Sequence, residues 1–506
     1  MLQLRPSTPQ TLQGSPARRW AALAVLMFPV LLVSVDNTAL SFAVPSLARD
    51  LAPSANQLLW IIDVYPLVLA ALLVAMGSWG DRIGRRRILL IGGTGFALVS
   101  VAAAFAPDAG SLVVARAALG FFGAMLMPAT LSLIRNIFTD AAERQRAIAI
   151  WAAGFSGGAA LGPLAGGWLL EHYSWGSIFL LAVPVLLPLL VLGPVLLPES
   201  ADPDPGPVDL LGIAMVTVAL GAAVFAVKSA GSGGALAVTL GAAVVGVLAG
   251  IGFVRRMLDS AHPMLDVRLF RNKVFSGALV VNLVSVFAIV GFIYFMSQHV
   301  QLVAGYSPMR AAVLMLPGLV LTVIFGLLAV PLVRRVGPAK VVVAGLLLNA
   351  VGYAVVALGG SGAALAALLV GFMLLSAGVG MAETISNDLA LSAVPPGKAG
   401  AASAVSETAY EVGAVLGTAV LGTLLNVAYR TGLEVPAGVS ADLAESARAT
   451  LGGAVEVATQ LPAGQAADLL ASAFTAFDHG VLLIAGVGAA LSVAIAVLAA
   501  RLLPRR

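Results

Sequence analysis

No cysteine occurs in this 506-residue chain. Disulfides and thiol chemistry are excluded, and compartment is left open. Histidine is nearly absent as well, with four residues. There is no HExxH pattern, so neither a metal centre nor a clustered nucleophile is expected and a membrane enzyme is discounted. Charge is the scarcest resource. Asp, Glu, Lys and Arg make up 10% of the chain, whereas 60% is hydrophobic; soluble domains carry about 25% charged residues. With a mean hydropathy of +1.01, such a chain cannot cover a water-facing surface.

What is abundant is long apolar sequence. Crossing a bilayer as a helix takes about 20 residues, and the runs here lack the alternation of barrel strands. The expected class is an all-α polytopic membrane protein. Fourteen spans are predicted, at 20–43, 57–79, 88–106, 111–135, 146–169, 176–197, 208–229, 235–255, 274–302, 309–333, 339–359, 362–387, 398–427 and 478–502. The first is too long for a signal peptide and reads as retained. The 55 glycines suit closely packed spans.

Lys and Arg set the orientation. With both termini cytoplasmic, 22 of 28 fall inside, and Arg49, Lys228, Arg310, Arg430 and Arg448 fall outside. Arg116 lies within a span. The loop "PESADPDPGP" (198–207) is placed inside although it has no basic residue. Residues 428–477 form the one long extramembrane segment, expected to hold short helices or a hairpin on the outer side.

The chain repeats itself. "GSWGDRIGRRR" (77–87) and "VPLVRRVGPAK" (330–340) align on Gly84 and Gly337 as tight basic turns. "GAALGPLAGG" (158–167) and "GAVLGTAVLG" (413–422) match Gly158 and Gly162 to Gly413 and Gly417. Spans 2, 3 and 5 therefore echo spans 10, 11 and 13. This is a six-helix bundle copied in parallel, with two added helices between, and transporters so built bind substrate between the halves. The expected units are 1–198, a linker with two extra helices at 199–266, and 267–506.

These motifs carry a resemblance to the major facilitator superfamily. "GSWGDRIGRRR" resembles its loop signature, "RAALGFFG" (116–123) its fourth-helix Arg motif, and "GAALGPLAGG" its antiporter motif. "HPMLDVRLFRN" (262–272), "QLVAGYSPMRAAVLMLPG" (301–318) and "GAASAVSETAYEVG" (400–413) are similar to the fourteen-span drug:proton antiporters, and especially to actinobacterial and staphylococcal multidrug pumps. The resemblance covers nearly the whole chain. It implies the major facilitator fold and proton-driven export of lipophilic cations, including quaternary ammonium compounds, dyes and fluoroquinolones, across a bacterial plasma membrane. Expected partners are those cations, protons and lipids, not nucleic acid, and the expected state is a monomer without cofactors. An exporter of an endogenous lipid, peptide or metabolite is the alternative in the same fold. A receptor or scaffold is the alternative outside transport. Span 10 has no acid where some relatives carry one, which argues against bulky divalent cations.

An ionisable residue inside a span is a functional candidate. At about 1.5 Å rise per residue, Asp36, Asp63 and Arg116 share one level in the outer third of the bilayer, and Arg116 is expected to pair with Asp36 or Asp63. Glu407 and Glu411 are one helical turn apart, on one face near the midplane. Two such acids resist double ionisation, so a proton is held until a cation displaces it. Asp36, Asp63, Arg116, Glu407 and Glu411 are thus the proton-coupling candidates. Glu383 is a further acid near the inner end of span 12. Aromatic faces attract cations. Trp60, Tyr410, Phe42, Phe121 and Phe295, with Met296 and Gln298, join the two glutamates as candidate substrate contacts. Trp60 can equally be an interfacial anchor, and the other apolar residues can equally pack against helices or lipid. His299 near the outer end of span 9 is a titratable neighbour. Gly77, Asp81, Arg82, Gly84 and Arg85 are expected to hold the cytoplasmic side closed, Asp81 facing basic residues or a helix N-terminus in the C-terminal half. Gly158, Gly162, Pro163, Gly166 and Gly167 permit close helix approach and a bend; by resemblance, this surface lies between the two bundles.

Overall fold

A computed structural model describes residues 15–504 apart from 203–208, 232–234, 261, 262, 264, 360–364 and 395–398. Lys398 and the second half of the 198–207 loop therefore lie outside the described residues. Fourteen helices are long and apolar enough to cross a membrane. In order they are Pro16–Leu51, Ala55–Ile83, Arg85–Ala104, Ala109–Ile137, Arg146–His172, Ser177–Leu196, Leu210–Ala230, Leu236–Asp259, Lys273–Val303, Pro308–Val336, Pro338–Leu358, Leu365–Ser392, Ala402–Gly432 and Ala463–Leu502 (spans 1 to 14).

Local chemistry sets their ends. Ser54 and Gln57 form a capping box that starts span 2, and Asp108 with Ser111 does the same for span 4. Ser307 caps span 10, with Pro308 at the first helical position. The two basic turns match in geometry. Gly84 and Gly337 have φ of +110° and +90° and stand between consecutive helices, where a side chain would be strained.

The glycine faces also match. A Cβ on Gly158 would meet Ser34 Cβ at 2.8 Å, one on Gly162 would meet Thr38, and one on Gly166 would meet Ala39 Cβ at 3.1 Å. Eight spans later, Gly413 and Gly417 lie against the Leu283 and Phe287 carbonyls of span 9. Span 5 thus packs on span 1 as span 13 packs on span 9. The expected inter-bundle role of the span 5 surface is corrected here: Gly158, Gly162 and Gly166 bind their own bundle, and Gly167 faces the other, where a Cβ would lie 3.0 Å from the Pro308 carbonyl oxygen. The physical reason is helical phase, since Gly158, Gly162 and Gly166 recur every four residues and Gly167 points about 100° away.

The halves meet through spans 2 and 13, 5 and 10, and 1 and 9. Many of the joining contacts gather on the face that carries residues 433–462, the face that the charge distribution predicts to be the outer one. Ser297 donates to the Ser41 carbonyl at 2.8 Å, Gln301 donates to the Phe42 carbonyl at 3.3 Å, and a Cβ on Gly422 would meet Leu59 at 2.7 Å. The structure is closed on this side. The outer segment is shorter than expected, because spans 13 and 14 extend to Gly432 and back to Ala463. Leu469, Ala473, Ala476 and Phe477 bury one face of that extension, which is why it stays helical. The expected short helices are Ala441–Ala449 and Leu451–Ala458. The second rests on span 1, with Gly452 against Ala48.

On the opposite face, the acidic start of the 198–207 loop is a counter-charge to the first basic turn. Glu199 lies 3.6 Å from both Arg86 and Arg87, and the Arg85 amide donates to the Ser200 carbonyl at 2.8 Å. An acidic loop on the basic side is thereby accounted for. Asp81 pairs with Arg85 at 2.7 Å, one turn along its own turn region, so its described ion pair is local and not with the C-terminal half.

Candidate functional site

Two clusters of buried charge emerge, and they differ in kind. The first joins spans 1, 2, 4 and 7. Arg116 Nη1 is 2.7 Å from Asp36 Oδ2, with side chains 2% and 8% exposed. Its Nε donates to the Ile61 carbonyl at 3.1 Å, and its guanidinium sits 4.4 Å from the centre of the Tyr65 ring. Of the two acids expected as partners for Arg116, Asp36 takes the role. Asp63 instead has Lys228 Nζ 2.8 Å from Oδ2, both side chains 1% exposed.

The charge reading counted Lys228 on the outer side, at the end of predicted span 208–229, and gave it no partner. Lys228 is inside span 7, whose helix runs Leu210–Gly231. A Lys near the end of an apolar run marks a span end by default; here an acid at the same depth retains it. Trp60 is neither belt nor a free cage, because the Lys228 ammonium lies 4.1 Å from its ring centre.

The second cluster is on spans 12 and 13. Glu411 is buried, at 2% exposure, and Glu407 is half-buried one turn earlier. Among the described residues neither carboxylate, nor Glu383, has a basic partner within ion-pair distance. Glu411 lies beside Asn37 and within electrostatic reach of Asp36 and Glu407. Tyr410 faces the fields of Glu383, Glu407 and Glu411, and its ring meets Phe155 of span 5 edge-on at 5.8 Å. A short polar chain supports the helix here. Asn282 donates to Ser406 at 3.2 Å, and Ser406 donates to Asn387 at 2.9 Å. Beyond Glu411 the helix widens into a π segment, Gly417–Leu421, which carries Thr418 to the Asp63 side; such segments recur at functional sites.

The remaining candidates scatter. Phe42, Phe295 and Met296 are fully buried in the outer closure and do not face the acid cluster as lining in this conformation; in a closed outer end their apolar surface goes to packing. Gln298 donates to the Tyr294 carbonyl at 3.2 Å. Phe121 is half-buried, edge-on to Phe122 at 5.3 Å. His299 pairs with Asp478 at 3.2 Å near the outer end. Gly77 lies against Pro128 of span 4, and Pro163 is inside span 5. Sequence reasoning missed Asn37, Phe155 and Tyr65, none of which carries a charge, and the pairing of Lys228 with Asp63, whose signal was a cation at the end of an apolar run.

The profile of the Major Facilitator Superfamily matches residues 26–418. The multidrug efflux pump LfrA of Mycolicibacterium smegmatis is 53% identical over 97% of both chains. The methyl viologen resistance protein SmvA of Salmonella typhimurium is 38% identical over 87% of this chain and 89% of its own. In fold, the chain is similar to a bacterial homologue of the human lysosomal transporter Spinster, with a TM-score of 0.66 at 18% identity, covering 96% of this chain and 98% of that one. Fourteen apolar helices, a parallel repeat with matched turn and packing glycines, and this likeness along the chain lead to one conclusion: the chain belongs to the Major Facilitator Superfamily.

Proposed function

We propose that this protein is a multidrug efflux antiporter of a bacterial plasma membrane, exchanging lipophilic cations for protons by alternating access. The observation that carries the reading is the acid cluster of buried Glu411 with half-buried Glu383 and Glu407 around Tyr410, with no basic partner among the described residues. Burying a carboxylate without a cation disfavours its charged form, so it holds a proton until something cationic arrives. A quaternary ammonium ion or cationic dye restores the missing charge and gains from the Tyr410 face. The proton it displaces leaves on the side from which the cation enters; after the halves rock, the cation is released on the far side and a proton from that side replaces it. Glu407 and Glu411 share the cation and proton. Asp36, tied to Arg116 and within the field of Glu411, reports cation occupancy to the N-terminal half.

In this reading the moving units are 1–198 and 267–506, with 199–266 as the linker. Both termini are cytoplasmic, and one chain suffices. The turn with Asp81 and Arg85 and the glycine faces of spans 5 and 13 set the two end states.

The test is ethidium efflux from proteoliposomes under an imposed pH gradient. Efflux that rises with the gradient and collapses with a protonophore is expected. Dye movement indifferent to the gradient contradicts antiport.

A further inference from the structure

Span 7 belongs to neither six-helix half, and much of its surface is exposed. It meets the body through the apolar cluster of Leu67, Val224, Val415 and Ala419, and through Lys228. The Lys228 head is a tethered ammonium resting between a carboxylate and an indole face. Trp60 and Asp63 are three residues apart on span 2 and so share a face. A carboxylate with an aromatic ring beside it is the chemistry that receives an alkylammonium ion. Outside this point lies a cavity of about 130 Å³ between spans 2, 7 and 13, lined by Lys228, Asn56, Leu59, Thr423 and Asn426 among others. The buried Thr423 hydroxyl and Asn56 carbonyl oxygen have no hydrogen-bond partner there.

We propose that Asp63 and Trp60 form a second cation site at the outer gate, which Lys228 fills while the gate is closed and yields to the exported cation as it leaves. The proposal rests on the efflux reading above. A tethered ammonium competes at high effective concentration, on the order of millimolar. External cations therefore meet an occupied site, and a departing one is expelled when Lys228 returns. The outer wall of the same cavity carries Arg430 and Arg448 against a single acid, Glu445, which pairs with Arg430, and this net positive rim further disfavours a lingering cation. Span 7 gains a role: its docking and the occupancy of the exit site exclude each other.

The experiment is chemical rescue in the purified full chain. Lys228→Ala empties the cage, and n-butylammonium at millimolar concentration should refill it. The expected result is a rise in melting temperature of at least about 3 °C in Lys228→Ala, with no rise in wild type. None is expected in Asp63→Asn/Lys228→Ala, which carries no unpaired buried charge. If Lys228→Ala unfolds on its own, purification in the amine followed by its removal gives the same readout as loss of fold. No amine effect in Lys228→Ala, or an equal effect in all three proteins, overturns the second site. Tetraphenylphosphonium binding and gradient-driven ethidium efflux are measured alongside in wild type. If both persist while the amine does nothing, only the exit site falls; if both are absent, the efflux reading falls.

Discussion

On spans 1 and 2, each buried acid has its own cation: Asp36 has Arg116, and Asp63 has Lys228. On spans 12 and 13, Glu383, Glu407 and Glu411 have none among the described residues. The two regions lie in the two repeated halves, on spans that the repeat does not equate, and they differ in electrostatic plan. A buried pair that loses one member leaves an uncompensated charge, so paired acids are tied to the fold. Acids without a partner can change protonation without removing a stabilising contact, which is what exchange of a cation for a proton requires. In the proposed mechanism the difference separates acids whose charge a protein cation already compensates from acids left to bind the coupled proton.

The comparison can be broken at its strongest point first. Arg116→Met should cost about 3–5 kcal/mol, because Asp36 stays buried alone. Thermal unfolding of the purified protein in detergent measures it, and Asp36→Asn/Arg116→Met should recover much of the loss. The packing glycines come next. Gly162→Val against span 1 and Gly413→Val against span 9 should each cost about 1–3 kcal/mol by overpacking, and similarly in both halves. The same assay reads them; a loss confined to one half breaks the repeat. Gly84→Ala and Gly337→Ala should each cost about 1–2 kcal/mol, since both have positive φ. Glu411→Gln should move stability by less than about 1 kcal/mol, because no ion pair is lost. Ethidium efflux should nonetheless fall at least about tenfold, an effect on transport alone. The smallest effect is expected at the outer rim. Arg430→Ala removes a solvent-exposed pair with Glu445 and should change stability by about 0.2–1 kcal/mol at most.

Much of the fold was legible in the sequence because the bilayer enforces it. Span number follows from apolar length, and Gly84 and Gly337 mark matching turns because few residues tolerate their backbone angle. Glu407 and Glu411 were found by spacing alone, since the helical period puts them on one face. What the sequence hid was partner choice. Asp36 and Asp63 lie at one depth, and nothing in their spacing says that Arg116 takes the first. Lys228 stood 165 positions from Asp63, at the end of an apolar run, where a lysine reads as an anchor. Only packing of span 7 on spans 2 and 13 brings it to Trp60. The span 5 glycines were read by motif as an inter-bundle surface, whereas helical phase turns three of them to span 1. Asn37 and Phe155 carry no charge, so depth and charge, the two signals used on the acids, passed over them.

The most direct test of the division is proton release on cation binding. Tetraphenylphosphonium is added to the purified protein in weak buffer, and the released protons are counted with a pH indicator. Wild type should release about one proton per bound cation, by the linkage between the cation and the carboxylates it ionises. Glu407→Gln/Glu411→Gln should release none, and Asp63→Asn/Lys228→Ala should release as wild type does. Undiminished release from the double glutamine variant, with release lost in the Asp63–Lys228 variant, would place the exchange on the paired acids and contradict the account.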